Sequence, residues 1–383
     1  MTTFDRPTRQ APAGPGNARS LGEAELAELA SELQKLPKAE LHRHLPGSYR
    51  LQTLLELARE YRLDLPTYDL EGLRQYAQVQ PGTPANLGHI LRTVSTFLRQ
   101  FFVTREAIAR FAFEMVEDAW RDGIVYLESR FSPWVLSVAH GHSFDDVLMG
   151  AAQGVAAAQR LYPVQTGMLL GVTREAGLAV ASQLADYALD VAGTLGVVGV
   201  DLAGDEEMYP PRQFAGVFER IRADGRLGIT IHAGEAAGPD SVRAAVETLG
   251  AQRIGHGVRV IEDAETTEFV RARGIVLETC PTSNVATGAV GSFAAHPLKP
   301  LLARGVAATI NTDDPGWFDI SLTGEYLVSL TRLGLTFDEL RQAAIHAAAG
   351  AFLPDPARAA LVARIGNAYD DAAPRITYLL SGG

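Results

Sequence analysis

The chain has 383 residues, of which 47% are hydrophobic, so it is long and apolar enough to bury a large core and is not intrinsically disordered. Its formal net charge of −11 argues against a nucleic-acid or anionic-membrane surface, which would need a clustered basic face, and no apolar run approaches the roughly 18 residues of a membrane span. The single cysteine, Cys280, excludes an internal disulfide and a cysteine-based zinc knuckle, so any transition-metal site must use histidine and carboxylate ligands.

The first 20 residues are rich in Pro, Gly, Ala and polar side chains and lack the apolar centre of a secretory signal. We therefore expect residues 1–20 to be a flexible tail of a cytoplasmic protein and residues 21–383 to form one domain. Leucines recur at helical spacing from Leu26 to Leu36, which predicts a short amphipathic helix before Pro37.

The first predicted strand runs from Ala39 to His44. Residues two apart in a strand face the same side, so His42 and His44 would point together into a barrel or a cleft. A metal site has this pattern, but so does one buried histidine beside a chance neighbour.

The next segment, from about residue 46 to 122, is mostly helical in pattern. It predicts a helix from Leu51 to Leu63, a looser stretch from Pro66 to Pro84 and a long helix that Thr104 would cap. This segment is too long for one β/α unit, so we expect a helical insertion after the first strand.

Strands and helices then alternate along the chain. Seven further strands are predicted at Ile124–Phe131, Thr166–Thr173, Val197–Leu202, Gly228–Ile231, Arg253–Gly255, Gly274–Thr279 and Val306–Thr312. Eight β/α units predict an α/β protein with a closed (β/α)8 TIM barrel, followed by C-terminal helices from about Leu335. A doubly wound open sheet is the alternative, but no glycine-rich phosphate loop follows the first strand.

Polar side chains follow four of the predicted strands: His42 and His44, His232 and Glu235, His256, and Asp313 and Asp314. In a barrel these strand ends lie on one face, which is the face that carries the chemistry of such folds. Three histidines and one aspartate suit a zinc ion with a water molecule completing its coordination. Taken alone, Asp313-Asp314-Pro315 would be an ordinary turn, but together the four strand ends favour a functional site.

Six segments resemble the adenosine deaminase family of the amidohydrolase superfamily and occur in the family's order: Pro37–Leu45, Val198–Glu206, His232–Glu235, Arg253–Gly257, Cys280–Asn284 and Asn311–Pro315. The resemblance implies one zinc ion per chain, held by His42, His44, His232 and Asp313. It implies that Glu235 protonates N1 of a 6-aminopurine and that His256 orients the attacking water, as a base or as an electrostatic partner. The implied reaction is hydrolytic deamination of an adenosine-type nucleoside, which gives a hypoxanthine ring and ammonia.

The resemblance also implies two substrate contacts. Asp314 would share a proton at N7 of the purine, and the backbone of Gly204 would meet N3. The expected partner is thus a small purine nucleoside, with no nucleic acid or membrane involved, and the oligomeric state cannot be read from the sequence.

Pro46 departs from the family pattern, which usually has Asp or Glu at this position to contact the ribose 5′-hydroxyl. Proline has no side-chain acceptor, while Arg43, Arg50, Arg92 and Arg99 add positive charge nearby. We therefore hypothesise a substrate with a modified, anionic 5′ end, such as aminodeoxyfutalosine. Adenosine and free adenine are the alternatives within the family, and the arginines could equally be solvated surface charges.

Two other classes of function remain open from the sequence. A catalytically silent nucleoside-binding barrel would be expected to lack Glu235 or a metal ligand, yet none is missing. A two-metal amidohydrolase would commonly use a bridging lysine, which no strand end offers.

Several remaining polar residues are predicted to be structural rather than catalytic. Arg130 is expected to brace the barrel, and Ser283 and Asn284 to shape the floor of the pocket. Five histidines without a partner pattern are predicted to be structural or exposed: His89, His140, His142, His296 and His346.

Overall fold

Eight parallel strands form the centre of the computed structural model, which describes residues 21–80, 88 and 96–381. Each strand pairs with the next one along the chain, from β1 to β8. The strands are β1 (Lys38–His44), β2 (Ile124–Phe131), β3 (Gln165–Thr173), β4 (Val197–Ala203), β5 (Gly228–Ala233), β6 (Arg253–His256), β7 (Val276–Thr279) and β8 (Ala308–Ile310). This is the predicted (β/α)8 arrangement.

The barrel closes where the end of β8 meets β1. The backbone N–H of Asp313 donates to the carbonyl of His42 at 3.0 Å, and the N–H of His44 donates to the carbonyl of Asp313 at 2.8 Å. The side-chain oxygen of Asn311 accepts the N–H groups of Leu41 and His42 at 2.9 and 3.2 Å. The hydrogen bonds that close the barrel therefore also hold His42, His44 and Asp313 side by side.

Helices surround the barrel, and three of them lie in the described parts of the segment between β1 and β2. In the described residues they are α1 (Glu23–Lys35), α2 (Leu51–Tyr61), α3 (Leu70–Ala77), α4 (Arg105–Arg121), α5 (Pro133–Val138), α6 (Phe144–Gln159), α7 (Gly177–Asp190), α8 (Ala215–Asp224), α9 (Pro239–Leu249), α10 (Ala264–Ala272), α11 (Pro281–Ala286), α12 (Leu298–Ala303), α13 (Pro315–Phe318), α14 (Leu322–Thr331), α15 (Phe337–Gly350) and α16 (Asp355–Ser381). The predicted helical segment after β1 and the C-terminal helices are both present.

Some element boundaries differ from the sequence-based expectation. The stretch predicted as loose contains α3, because Asp69 caps it by accepting the Gly72 N–H at 2.7 Å. Strand β8 is shorter than predicted at both ends, and Asp313, just beyond it, adopts a left-handed backbone conformation with φ of 63°. The proposed tail at residues 1–20, His89 and Arg92 lie outside the described residues.

The apolar core is continuous from the barrel strands to the inner faces of the helices, as in Leu41, Val200 and Ile231, which are fully buried. None of the helices in the described part of the chain is long and apolar enough to cross a membrane.

Candidate metal centre and active site

Three predicted metal ligands converge at the carboxyl ends of β1 and β5. One ring nitrogen from each of His42, His44 and His232 lies within 4.8 Å of the others. The Oδ1 atom of Asp313 lies 3.3 Å from Nε2 of His42 and 3.2 Å from Nε2 of His44. These four side chains could hold a single divalent ion through nitrogen and oxygen donors.

Carboxylates orient two of these imidazole rings from behind. Glu278 lies 2.9 Å from Nδ1 of His42, and Asp201 lies 2.9 Å from Nδ1 of His232. A carboxylate accepts the Nδ1–H, which leaves the lone pair of Nε2 pointing into the cluster. Nε2 of His42 is buried and lacks a hydrogen-bond partner, which is expected of a nitrogen that binds a metal.

Protonation states also favour cation binding. Burial lowers the pKa of His232 to about 3, so its ring is neutral at pH 7 and can coordinate a metal. Burial alone would raise the pKa of Asp313, but its close contacts with His42 and His44 hold that pKa well below the usual value. Ser283 donates to Oδ2 of Asp313 at 2.7 Å, which leaves Oδ1 facing the two histidines.

A second grouping of possible ligands consists of His42, His256, Cys280 and Asp313. Burial, followed by the charge of Asp313, raises the pKa of the Cys280 thiol well above its usual value. The thiolate is the form that binds metals, so Cys280 is a poor ligand as it stands. The set with three histidines and one aspartate is the better donor arrangement.

Two buried arginines support the carboxylates that orient the histidines. Arg130 pairs with Asp201 at 3.2 Å and with Glu278 at 2.7 Å, which confirms that it braces the barrel. Arg253 pairs with Glu278 at 2.7 Å and with Glu128 at 2.5 Å. Buried charges of this kind are tolerated because each has an opposite charge and hydrogen bonds.

Glu235 and His256 face each other at the edge of the cluster. Nε2 of His256 lies 3.4 Å from Oε2 of Glu235 and 3.9 Å from Oδ2 of Asp313. Burial, with the charges of Asp313 and Glu206, raises the pKa of Glu235 to about 8, so this carboxyl is protonated at neutral pH. A buried neutral acid beside a metal-type cluster is suited to proton donation.

Glu206 fixes the backbone that carries Glu235. Its carboxylate accepts the N–H groups of four consecutive residues: Gly234 at 2.6 Å, Glu235 at 3.2 Å, Ala236 at 3.0 Å and Ala237 at 3.1 Å. Glu206 lies within one of the family-like segments, but its role is not evident from the sequence because its partners lie about 30 residues away.

The two predicted substrate contacts follow strands on opposite sides of the barrel, with Asp314 after β8 and Gly204 after β4. Burial and the adjacent charge of Asp313 raise the pKa of Asp314 to about 7, and Asp314 packs directly against Gly47. Gly204 follows β4 with φ of 112°, and a β-carbon there would overlap the carboxylate of Glu175. Gly204 is thus required both for its conformation and for the space beside it.

A cavity of about 320 Å³ opens beside Glu235, which is a volume typical of small-molecule sites. Its lining comprises Glu235 and Ala236, the charged residues Glu207, Arg259 and Glu262, and the segment 287–289.

The arginines near Pro46 are largely engaged within the protein. Arg43 is buried and contacts Glu40 and Ser48, and Arg50 pairs with Glu117 at 2.7 Å and with Asp118. Arg99 is half-buried on the short 3-10 turn Leu98–Phe101. Two of the four positive charges invoked for an anionic 5′ end are therefore already neutralised by acidic partners.

The other described histidines contact backbone or an amide. His140, His142 and His346 each approach a backbone carbonyl, at 2.9, 2.9 and 3.2 Å. His296 is buried and contacts Asn284, which in turn contacts His256. Sequence reasoning missed the roles of Asp201 and Glu278, whose histidine partners lie 31 and 236 residues away in the chain. It assigned Asn284 to the floor of the pocket and did not find its contact with His256.

Comparison with known proteins agrees with this geometry. Residues 37–368 match the family described as Adenosine deaminase. The chain is 39% identical over 330 residues to an adenosine deaminase of Klebsiella pneumoniae, which covers 86% of this chain and 98% of that protein. The crystal structure of an adenine deaminase from Arthrobacter aurescens is similar with a TM-score of 0.80 and 25% identity, covering 87% of this chain and 98% of that one.

An amidohydrolase structure from Burkholderia ambifaria with bound zinc shares the fold, with a TM-score of 0.82 and 24% identity, covering 91% of this chain and 94% of the other. The family match spans most of the chain, and the histidine and aspartate cluster fits one metal ion. The chain belongs to the adenosine deaminase family and is a zinc-dependent hydrolytic deaminase of adenine-type substrates.

Proposed function

We propose that this enzyme deaminates an adenosine-type nucleoside at C6 of the purine, with zinc bound by His42, His44, His232 and Asp313. The observation that carries the proposal is the contact of Glu235 with His256 at 3.4 Å, at the edge of the cluster formed by these ligands. The adenosine deaminase of Klebsiella pneumoniae, at 39% identity, supports a nucleoside over the free base.

Bound zinc supplies hydroxide at neutral pH, because it lowers the pKa of water towards 7. Glu278 and Asp201 keep Nε2 of His42 and His232 free to donate electron pairs. Ser283 binds Oδ2 of Asp313, so that Oδ1 faces His42 and His44. The ligand geometry is thus preorganised by this chain's own residues.

Glu235 is the proton donor. Its protonated carboxyl would donate to N1, which makes C6 electrophilic and open to addition of hydroxide. A C–O bond would form at C6 as the C6–N1 double bond becomes a single bond. The hydroxyl proton would then pass to the amino nitrogen, the bond from C6 to that nitrogen would break, and ammonia would leave with a carbonyl formed at C6. The backbone N–H groups bound to Glu206 keep Glu235 in place throughout.

Asp314 and Gly204 would orient the purine ring. Asp314, whose pKa is near 7, can donate a proton to N7 or share one with it. The backbone at Gly204, which follows β4, would approach N3 of the purine. Contacts to both rings place C6 relative to Glu235 and His256.

A nucleoside with a modified 5′ end, such as aminodeoxyfutalosine, is the second candidate substrate. Pro46 supports it, because this buried residue offers no acceptor for a ribose 5′-hydroxyl. The internal ion pairs of Arg43 and Arg50 weaken it, since neither guanidinium is left without an acidic partner. We therefore place adenosine first.

Steady-state kinetics with adenosine, adenine, 5′-methylthioadenosine and aminodeoxyfutalosine would rank these substrates, with ammonia release as the common readout. The highest kcat/KM is expected with adenosine, and a preference for aminodeoxyfutalosine would make the modified nucleoside the better assignment.

The Glu235→Gln variant should retain zinc but lose turnover. Activity near that of the wild type would disprove the role of Glu235 as proton donor.

We also propose that the enzyme works in the cytoplasm, on the basis of its composition and its single cysteine. Its proposed partner is a small purine nucleoside. Cell fractionation followed by detection of the enzyme would test the location.

A further inference from the structure

A chain of buried hydrogen bonds reaches the rear of His256. Nδ1 of His256 lies 3.0 Å from the side-chain nitrogen of Asn284. The side-chain oxygen of Asn284 lies 3.1 Å from the backbone N–H of Cys280 and 3.2 Å from Nε2 of His296. Nδ1 of His296 accepts the backbone N–H of Leu298 at 3.2 Å. His256, Cys280, Asn284 and His296 are all at least nine-tenths buried.

Two backbone N–H groups determine the direction of every hydrogen bond in this network. A backbone N–H can only donate, so the Asn284 atom that faces Cys280 must be the amide oxygen. The Leu298 N–H likewise requires Nδ1 of His296 to be the acceptor. The proton of the His296 ring therefore lies on Nε2, which donates to the side-chain oxygen of Asn284. A flipped Asn284 amide would bring its NH2 group against two donors.

The amide nitrogen of Asn284 therefore points at Nδ1 of His256 and must donate to it. Nδ1 then carries a lone pair, and the ring proton lies on Nε2, which faces Glu235 and Asp313. Carboxylates impose the opposite tautomer on His42 and His232. The residues behind the rings therefore set different tautomers. Nε2 carries a lone pair in His42 and His232, whereas Nε2 of His256 carries a proton and is a donor.

We propose that Asn284, held by Cys280 and His296, is a positioning residue that keeps His256 in its Nε2–H tautomer. This inference rests on the proposed role of His256 in orienting the attacking water. In this tautomer the neutral ring donates a hydrogen bond from Nε2 into the site and has no lone pair there to accept a proton. His256 thus acts as a hydrogen-bond donor to the nucleophile rather than as its base.

Nitrogen NMR of the zinc-loaded enzyme labelled with ¹⁵N-histidine tests the tautomer directly. The His256 signals are assigned as those lost in His256→Gln. The wild type should show a protonated Nε2 and an unprotonated Nδ1. The reverse pattern would overturn the proposal without any use of activity.

Asn284→Asp changes the contact with little change in shape. The carboxylate can still accept from Cys280 and His296, but it offers Nδ1 of His256 a second acceptor in place of a donor. We expect a proton on Nδ1, an unchanged zinc content, a KM for adenosine within about threefold of wild type, and a kcat lowered about 10²–10⁴-fold. Retention of the Nε2–H tautomer with an unprotonated Nδ1 in this variant would overturn the proposal.

Substitutions at His296 separate hydrogen bonding from packing. His296→Gln retains a donor towards Asn284 and should keep kcat near the wild-type value, whereas His296→Phe should lower it. The loss should be smaller than in Asn284→Asp, because the Cys280 N–H still holds the amide. The control is His346→Gln, at a half-buried histidine that bonds only to the Ala308 carbonyl. Equal kcat losses in the Gln and Phe variants would contradict the hydrogen-bond role of His296.

Absence of adenosine turnover in the wild type would count against the proposed substrate. The NMR result would still decide the tautomer.

Discussion

Glu206 accepts the backbone N–H of Glu235 at 3.2 Å, and its charge helps to keep the Glu235 carboxyl protonated. One carboxylate thus both positions the proposed proton donor and favours its protonated state. Both effects depend on the negative charge of Glu206, whose side chain is only 3% exposed.

Glu206→Gln should lower activity because an amide NH2 would replace one oxygen and face N–H groups that need an acceptor. Each buried group left unpaired costs about 1–3 kcal/mol. A displaced Glu235 should reduce kcat by about 10²-fold. Steady-state kinetics and thermal unfolding measure the two effects. Glu219→Gln, at an exposed position on α8, is the control and should match the wild type. A Glu206→Gln enzyme with wild-type kcat would show that the loop does not need this carboxylate.

The pH dependence of kcat/KM should reveal the protonation of Glu235. Burial raises its pKa to about 8 in the protein without metal, and a bound cation opposes that rise. Since the protonated form is the donor, activity should fall as pH rises through a value at or below about 8. Rates for adenosine between pH 6 and 10, with zinc content checked at each end, test this. Constant activity from pH 8 to 9.5 would rule out Glu235 as the group that limits the reaction.

Glu206→Gln should also shift the pH dependence of kcat/KM. Removal of a nearby negative charge lowers the pKa of Glu235, so the fall in activity should move to lower pH. A shift to higher pH would contradict the electrostatic effect assigned to Glu206.

The barrel was predictable from sequence because each strand carries its own local pattern. Ile124–Phe131 has the observed bounds, and Gly228–Ile231 falls short by two residues. The metal-type cluster was also predictable, since His42 and His44 share one strand and the strand ends of a barrel converge.

The contacts behind the cluster could not be predicted in this way. Glu278 contacts His42 across 236 residues of chain, and Arg130 contacts Glu278 across 148. Local periodicity carries no information on such pairs. The ion pairs of Arg50 with Glu117 and Asp118 on α4 are also distant in sequence. For that reason the sequence alone did not show that Arg50 is engaged within the protein.

Gly47→Ala should weaken substrate binding through Asp314. A β-carbon at residue 47 would overlap the carboxylate of Asp314, and the Gly47 carbonyl already accepts the Gly316 N–H at 2.8 Å. Overpacking of this kind costs about 1–3 kcal/mol, so we expect kcat/KM for adenosine to fall by about 5–150-fold. Kinetics with measured zinc content would show whether the loss arises at the substrate or at the metal.

Gly216→Ala is the matched control for this substitution. Gly216 lies on α8 with open space around its α-carbon, so alanine there should leave kinetics unchanged and stabilise the helix by about 0.5–1 kcal/mol. If Gly47→Ala also keeps wild-type kcat/KM, Asp314 does not contact the purine.

Pro46→Asp should improve the enzyme towards adenosine if the 5′-hydroxyl lies beside this turn. The new carboxylate would accept a hydrogen bond from the 5′-hydroxyl, which otherwise lacks a partner. Such a hydrogen bond changes the binding free energy by about 1–3 kcal/mol, which corresponds to a rise in kcat/KM of roughly 5–150-fold. Pro46→Ala separates loss of the ring from gain of the acid, and 5′-deoxyadenosine is the control substrate that should not respond. An anionic 5′ extension would instead be repelled by the new charge. If Pro46→Asp reduces turnover of aminodeoxyfutalosine and leaves adenosine unchanged, the modified nucleoside becomes the better assignment.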